Sequence, residues 1–406
     1  MSPNSVKAPK YVISVMERLT CRGFEAYMVG GCVRDLIMGR RPCDWDVCTS
    51  ALPLEVMALF PHSRPTGLKH GTVTVISHGS PVEVTTFRSD GEYKDHRRPE
   101  SVLFIGDLKS DLERRDFTIN ALALPLTGAI RDCFGGKKDI ENRLIRCVGE
   151  PERRFEEDAL RMLRAFRFSA VLGFEIEPDT LAAIRKKSHL SRELARERVR
   201  VELEKILLSD SPEVISDIIG YGLLRCITEK ASADIDLSSL KRLPKNRALR
   251  WAGLCALLLR SDEIDDPEKF LTSLRLDSAT LQNCSKACAL VSEVLPKDEI
   301  SWKKLLAANG TETVKCASAA AEVLYGKGYV KLLRSVLRGG DCYSLRQLAV
   351  SGDELLELGF RGTELGNALS RLLDYVIEHP SDNNKELLLA LAKERGSPEN
   401  FRLPII

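Results

Sequence analysis

The hydrophobic period of this chain changes once, near residue 146, and that change limits the architectures open to it. Before that point, helical and two-residue periods are interleaved. After it almost every segment, beginning with RRFEEDALRMLRAFRFSAVLGF, is Leu- and Ala-rich with apolar residues three and four apart. Short loops such as LSDSPE, LPKNR and GSPENF punctuate this helical part. No fixed-period repeat is present, so a solenoid is not expected. The pattern predicts an α+β protein: a small N-terminal head with a mixed or antiparallel sheet and flanking helices, then an extended all-α body. The expected divisions are residues 1–145, 146–208, 209–310 and 311–406, and a chain of 406 residues is long enough for more than one core.

Within the head, Val12, Val15, Met16 and Leu19 fall on one helical face, with Gly23 as the stop. FEAYMVGG reads as a buried strand, VRDLIMG as a short helix closed by Gly39, and CDWDVCTS as a second strand. The runs Thr72 to Ser77 and Val82 to Arg88 alternate and are β-branched; His78, Gly79, Ser80 and Pro81 between them signal a hairpin. The stretch DGEYKDHRRPE that follows is too charged and aperiodic to pack, and is predicted to be a mobile loop at the sheet edge.

Composition excludes several classes. Sixty Lys and Arg against 58 Asp and Glu leave a net charge of +2, so a polyanion must be met by local patches and not by a global field. The start lacks the apolar core of a signal peptide and the Arg-rich bias of a transit peptide, and no run is long enough to span a membrane. Twelve scattered cysteines without a CxxC pair read as reduced thiols of a cytoplasmic protein; Cys284 and Cys288, four apart, read as core packing.

The chemistry concentrates in YMVGGCVRDLIMGRRPCDWDVCTS. Asp44 and Asp46, two apart on a strand, share one face, and two adjacent anions call for a cation. A pair of Mg2+ ions would neutralise them and clamp the oxygens of a phosphoryl transfer, with Glu83 as a third carboxylate. Gly30 and Gly31 let a triphosphate approach the backbone at the start of a helix, with Arg34 one turn in. On its own the DxD pair is equally a solvated turn or a structural calcium ligand. An aspartyl phosphatase fits less well, because the threonine comes one residue late, at Thr49.

GGCVRD followed by DWD resembles the signature of the DNA polymerase β nucleotidyltransferase superfamily, and the later segments resemble its class II tRNA nucleotidyltransferase and poly(A) polymerase branch. RRDFTINALAL, from Arg114 to Leu124, is similar to the ribose-recognition motif of that branch; it implies that Arg115 and Asp116 read the ribose 2′-hydroxyl, with Asn120 in support. EEDALRMLRAFRF resembles the EDxxR motif, with Asp158 and Arg161 selecting the base and Glu157 and Arg164 supporting them. Three apart, Asp158 and Arg161 would face one side of a helix, where a carboxylate accepts from an exocyclic amine and a guanidinium donates to a ring acceptor. Cytosine and adenine both present that pair of groups, whereas guanine and uracil do not. The competing reading is a surface salt bridge between the two. ERVRVELEKIL, from Glu197 to Leu207, resembles the motif that ends the neck.

The resemblance implies an enzyme that transfers nucleotides to RNA 3′ ends, using two Mg2+ ions and CTP and ATP, with the tRNA acceptor and TΨC arms as partner. RSDGEYKDHRRPESV resembles the flexible loop of adenine-adding members, carrying Arg88, Tyr93, Asp95, Arg97 and Arg98, and argues against a CC-only enzyme. PTGLKHGTVTV lacks the basic run of bacterial poly(A) polymerases. The expected activity is CCA addition; the alternatives are A addition beside a separate CC-adding enzyme, poly(A) polymerisation, and a catalytically silent RNA-binding protein. No HD phosphohydrolase motif is present in the C-terminal half. Lys241, Arg242, Lys245 and Arg247 in one segment, and Lys327, Lys331 and Arg334 in another, are candidate tRNA phosphate contacts or solvated helix faces. The sequence fits a monomer or a homodimer.

Overall fold

The computed structural model describes residues 8–91, 102–225, 227–228, 235–292, 296 and 298–393. The chain forms two compact units, Met1–Asp236 and Leu237–Ile406.

The first unit opens with helix α1 (Lys10–Thr20), whose Val12, Val15, Met16 and Leu19 are all buried, as their spacing predicts. Strand β1 (Ala26–Val29) follows, then α2 (Gly31–Ile37), β2 (Asp46–Thr49), α3 (Pro53–Leu59), β3 (Ser63–Gly67), β4 (Thr72–Ser77) and β5 (Ser80–Thr86). A short ribbon of β6 (Arg88–Asp90) and β7 (Val102–Phe104) precedes α4 (Leu108–Glu113), β8 (Leu122–Leu124) and β9 (Arg131–Asp132). The main sheet has seven strands in the order β3-β4-β5-β2-β1-β8-β9. It is mixed: β2 and β5 run parallel, the other neighbours antiparallel.

One sheet face carries Val47, Val73, Val75, Val82 and Val84, all buried, under α1 and α3. The opposite face buries Val29, Cys48, Phe87, Leu112, Ala121, Ala123 and Val148 in one cluster. Alternation therefore sorts side chains to two covered faces, and polar residues survive where that second cover ends.

The hairpin is tighter than the sequence predicts. Ser77 pairs with Ser80, so His78 and Gly79 alone make the turn, both at positive φ, and Pro81 already stands in β5 opposite Ile76. Two left-handed residues match the twist of the flanking strands.

Helix α5 (Gly136–Glu141) is followed by α6 (Pro151–Glu157), α7 (Leu160–Leu172), α8 (Pro178–Lys187), α9 (Arg196–Leu207) and α10 (Val214–Gly220), with a two-residue parallel bridge of β10 (Leu144–Ile145) and β11 (Glu175–Ile176). Helix α10 packs on α7 and α9. Gly136 lets α5 approach the turn Thr118–Asn120: a Cβ there would stand 2.2 Å from the Thr118 carbonyl oxygen. Gly136→Ala must displace backbone, and is expected to destabilise the unit by about 1–3 kcal/mol, read as a lower denaturation midpoint.

The second unit holds α11 (Arg247–Arg260), α12 (Pro267–Ser273), α13 (Ser278–Ser292), α14 (Glu299–Asn309), α15 (Thr311–Tyr325), α16 (Tyr329–Gly339), α17 (Gly352–Glu357), α18 (Gly362–Glu378) and α19 (Lys385–Lys393). Helices α11, α13 and α15 pack mutually, so a boundary at 310/311 would run through one core. Cys284 and Cys288 are buried there, as expected, and the described cysteines are unpaired thiols. A separate cluster around Leu355, Leu372, Val376, Ile377 and Leu388 organises α17 to α19. Among the described residues no helix is long and apolar enough to cross a membrane.

Candidate active site

Strand β2 begins at Asp46, so Asp44 lies in the irregular segment just before it and not on the strand the sequence predicts. The alternation nevertheless holds: buried Trp45 separates exposed Asp44 from exposed Asp46. Parallel pairing of β2 with β5 sets Asp46 directly beside Glu83, which brings a third carboxylate to the same face. Asp46 keeps solvent access, yet the protein packed around it, then Glu83 and Asp44, push its carboxyl above the usual range despite the opposing charge of Arg115.

Asp44, Asp46 and Glu83 thus form an anionic patch, with Arg115 as a counter-charge to Asp46. Among the described residues no three His, Cys, Asp or Glu side chains close into a metal cage. An open set suits Mg2+, which keeps waters and substrate phosphates among its ligands and takes only one or two carboxylates.

Gly30 joins β1 to α2 at φ 75° and ψ −134°, a conformation that favours glycine. Its N–H donates to the Leu122 carbonyl at 3.4 Å, and no side chain caps α2. A Cβ at Gly30 would meet Arg115 Nη1 at 3.3 Å. Arg115 therefore stands by the glycine turn and Asp46. Its other end donates to Asp111 Oδ2 at 3.1 Å. Asp111 is completely buried and also takes Arg114 at 2.7 Å. Cys32 follows the paired glycines; its thiol donates to the Val29 carbonyl at 3.2 Å, and burial raises its pKa to about 11.

Arg34 is engaged within the protein. It donates to Asp35 Oδ1 at 2.7 and 2.9 Å and to Asn120 Oδ1 at 2.8 Å, with its guanidinium 5.4 Å from the Phe168 ring centre. Asn120 in turn donates to Asp116 Oδ1 at 3.1 Å. Arg164 donates to Asp116 Oδ2 at 2.6 and 2.9 Å. Burial would raise the Asp116 carboxyl, but Arg164 and Asn120 outweigh it and hold it far below the usual range. Arg164 and Arg167 flank the Phe168 ring at 5.4 and 3.7 Å and share buried Glu202 of α9. One chain of hydrogen bonds and ion pairs, passing through the Asn120 amide, thus runs from Asp35 to Glu202.

The EDALR segment is not one helix. α6 ends at Glu157, Asp158 is extended at φ −142° and ψ 101°, and α7 starts at Leu160. Asp158 and Arg161 take different partners. Arg161 donates to Glu157 Oε2 at 2.8 Å and to the carbonyls of Arg154 and Arg114 at 3.0 and 2.9 Å. Asp158 is gripped through both oxygens by Arg198 of α9, at 2.8 and 3.2 Å.

Arg88 of the flexible-loop set pairs in β6 with Phe104 and bonds to the His70 carbonyl. Tyr93, Asp95, Arg97 and Arg98 lie outside the described residues. Pairing of β6 with β7 draws the two ends of that segment together.

In the second unit Lys241, Arg242 and Lys245 are exposed, whereas Arg247 is engaged by Asp277 at 2.6 Å and Thr280 at 2.8 Å. Trp251, which follows this basic segment, is fully buried. Arg242 lies against Gly326, so the two basic segments adjoin. Lys331, Arg334 and Arg338 share the exposed face of α16, and Lys327 is exposed just before it.

Sequence reasoning missed Asp111, Arg167, Glu202 and Arg198. The DLERRD spacing, an acid three and four residues before two arginines, signals Asp111. Nothing local signals Arg198, which meets Asp158 across 40 residues.

Residues 26–146 match the profile described as Poly A polymerase head domain, and residues 173–233 match the one described as probable RNA and SrmB-binding site of polymerase A. The CCA-adding enzyme of Limosilactobacillus fermentum is 37% identical over 94% of this chain and 95% of its own. That of Geobacillus kaustophilus is 37% identical over 95% and 96%. The chain belongs to the CCA-adding enzyme family. The crystal structure of the Bacillus stearothermophilus CCA-adding enzyme in complex with CTP superimposes at TM-score 0.76, with 32% identity over 95% of this chain and 97% of that one. The Thermotoga maritima CCA-adding enzyme complexed with tRNA shares the fold at TM-score 0.68 and 20% identity, over 96% of this chain and 99% of that one.

Proposed function

We propose that this chain adds C, C and A to the 3′ end of tRNA from CTP and ATP, without a nucleic-acid template, releasing pyrophosphate. One observation carries the reading: in a member of the CCA-adding family, the Asp44, Asp46 and Glu83 carboxylates, the Gly30 turn with Arg115, and the Asp116–Asn120–Arg164 network all lie within one folded unit.

Asp44 and Asp46, with Glu83 assisting, hold divalent metal; bound Mg2+ would neutralise charge on the α-phosphate and lower the pKa of the attacking 3′-hydroxyl. The Gly30–Gly31 backbone and Arg115 receive the triphosphate, while Arg34 braces Asn120. Asp116, kept anionic by Arg164 and bonded to Asn120, is offered with Arg115 as the ribose-reading element of the site. Asp158 accepts from the exocyclic amine, and Arg161, anchored by Glu157, shapes the same site. Lys241, Arg242, Lys245, Lys327, Lys331 and Arg334 are offered as contacts to the phosphates of the acceptor and TΨC arms. The enzyme would work in the cytoplasm.

On a tRNA transcript lacking its 3′ CCA, incorporation from CTP and ATP is expected to require Mg2+ and to stop on chelation. UTP and GTP should be taken at least about 10²-fold less well, since each would leave buried polar groups unpaired. Metal-independent incorporation, or equal use of all four nucleotides, would refute this reading.

A further inference from the structure

We propose that Arg198 is a specificity-positioning residue: by gripping both oxygens of Asp158 it leaves the carboxylate one acceptor direction, and that direction reads the exocyclic amine of cytosine or adenine. The inference rests on the role given to Asp158 above.

Asp158 sits in extended backbone between two helices, so no helical turn fixes its side chain. Its orientation must come from its partners. Oδ1 accepts the Leu160 N–H at 3.1 Å and Arg198 Nη1 at 3.2 Å; Oδ2 accepts Arg198 Nη2 at 2.8 Å. An ionised carboxylate has about four lone-pair positions, two on each oxygen. Both on Oδ1 are taken and one on Oδ2 remains. The pair also keeps solvent access, with the Asp158 and Arg198 side chains 18% and 26% exposed, so an incoming base can reach the remaining position without expelling Arg198.

The alternative orienter, Arg161, is committed elsewhere, to Glu157 and to two backbone carbonyls. Arg198 is itself held by a rigid support. It lies in the first turn of α9, whose Val199, Leu203 and Ile206 are fully buried, and α9 packs along α7. The planar fork matters as well as the charge: a guanidinium spans both carboxylate oxygens in one plane, which an ammonium cannot do. A carboxylate free to rotate would still accept a hydrogen bond, but at no fixed angle, and discrimination between bases would fall.

The test compares Arg198→Ala, Arg198→Lys and Asp158→Ala in the full chain, measuring single-nucleotide addition from CTP, ATP, UTP and GTP on tRNA transcripts ending at the discriminator base and at CC. Arg198→Ala is expected to lower kcat/KM for the correct nucleotide by about 10–100-fold while UTP and GTP change far less, so that the selectivity ratio collapses. Arg198→Lys should recover part of the rate and little of the selectivity. An equal loss for all four nucleotides would make Arg198 a structural tie between α9 and the α6–α7 junction, and would overturn the inference. If Arg198→Ala does not fold, Arg198→Lys decides: lost selectivity at an unchanged melting temperature supports the proposal, and wild-type selectivity overturns it. Asp158→Ala separates the two levels. Retained selectivity in that variant removes the parent reading, whereas lost selectivity there with wild-type selectivity in Arg198→Ala removes only the role of Arg198.

Discussion

Asp46→Asn is expected to lose nucleotide incorporation by at least about 10³-fold, the equivalent of the roughly 4 kcal/mol that metal-assisted charge neutralisation supplies at a transferring phosphoryl group. The same substitution should not weaken the fold. Burial, Glu83 and Asp44 raise the folded-state pKa of Asp46 above its unfolded value, so the ionised form costs stability. That cost is present at neutral pH and fades as pH falls through the raised value. Asparagine removes it, so in chelator-containing buffer the variant should melt at or above the wild-type temperature. Near-normal incorporation would remove Asp46 from the mechanism, and a melting temperature well below wild type would make it a structural residue.

Asp111→Ala should have the opposite signature, a loss of about 3–5 kcal/mol in unfolding free energy, the usual consequence of deleting one partner of a buried ion pair. Asp111 has no exposure, and Arg114 and Arg115 both converge on it, at 2.7 and 3.1 Å, with side chains under one-fifth exposed. Deleting the carboxylate leaves two guanidinium groups without it, one of them beside Asp46. Burial alone would raise the Asp111 pKa; Arg115 and Arg114 reverse the sign and lower it. Its contribution is therefore complete above the ordinary aspartate pKa and is lost as pH falls through the depressed folded value. Denaturant unfolding at neutral and acidic pH should show the wild-type advantage over Asp111→Ala shrinking only in acid. A variant as stable as wild type at neutral pH would show that solvent replaces the network at no cost.

Local periodicity made the head legible. Four residues at helical spacing located α1, alternation located β4 and β5, and the paired glycines marked the turn into α2. Two local expectations there failed: the hairpin turn is two residues and not four, and Asp44 precedes the strand, because alternation of exposure does not by itself set where ladder hydrogen bonding begins, which depends on distant strands.

The neck side of the site was legible in its residues but not in their partners. Asp158 and Arg161 were found by motif, yet a helix through both is broken by the extended Asp158, and each finds a different mate: Arg198 for one, Glu157 for the other. Arg34 was expected at the phosphates and is held by Asn120, 86 residues away in sequence. Partners of such separation are decided by packing of α7 on α9 and of α2 on the turn before β8, which no window of local sequence encodes.

The central claim is that one site in the first unit completes a CCA end. Three tRNA transcripts, ending at the discriminator base, at C and at CC, are incubated with CTP, ATP or both under Mg2+. The account expects each to be extended to a finished CCA terminus and no further, with CTP alone stopping at CC. Extension of only the CC-ending transcript, by a single A, would contradict it and make the chain an A-adding enzyme dependent on a separate CC-adding partner.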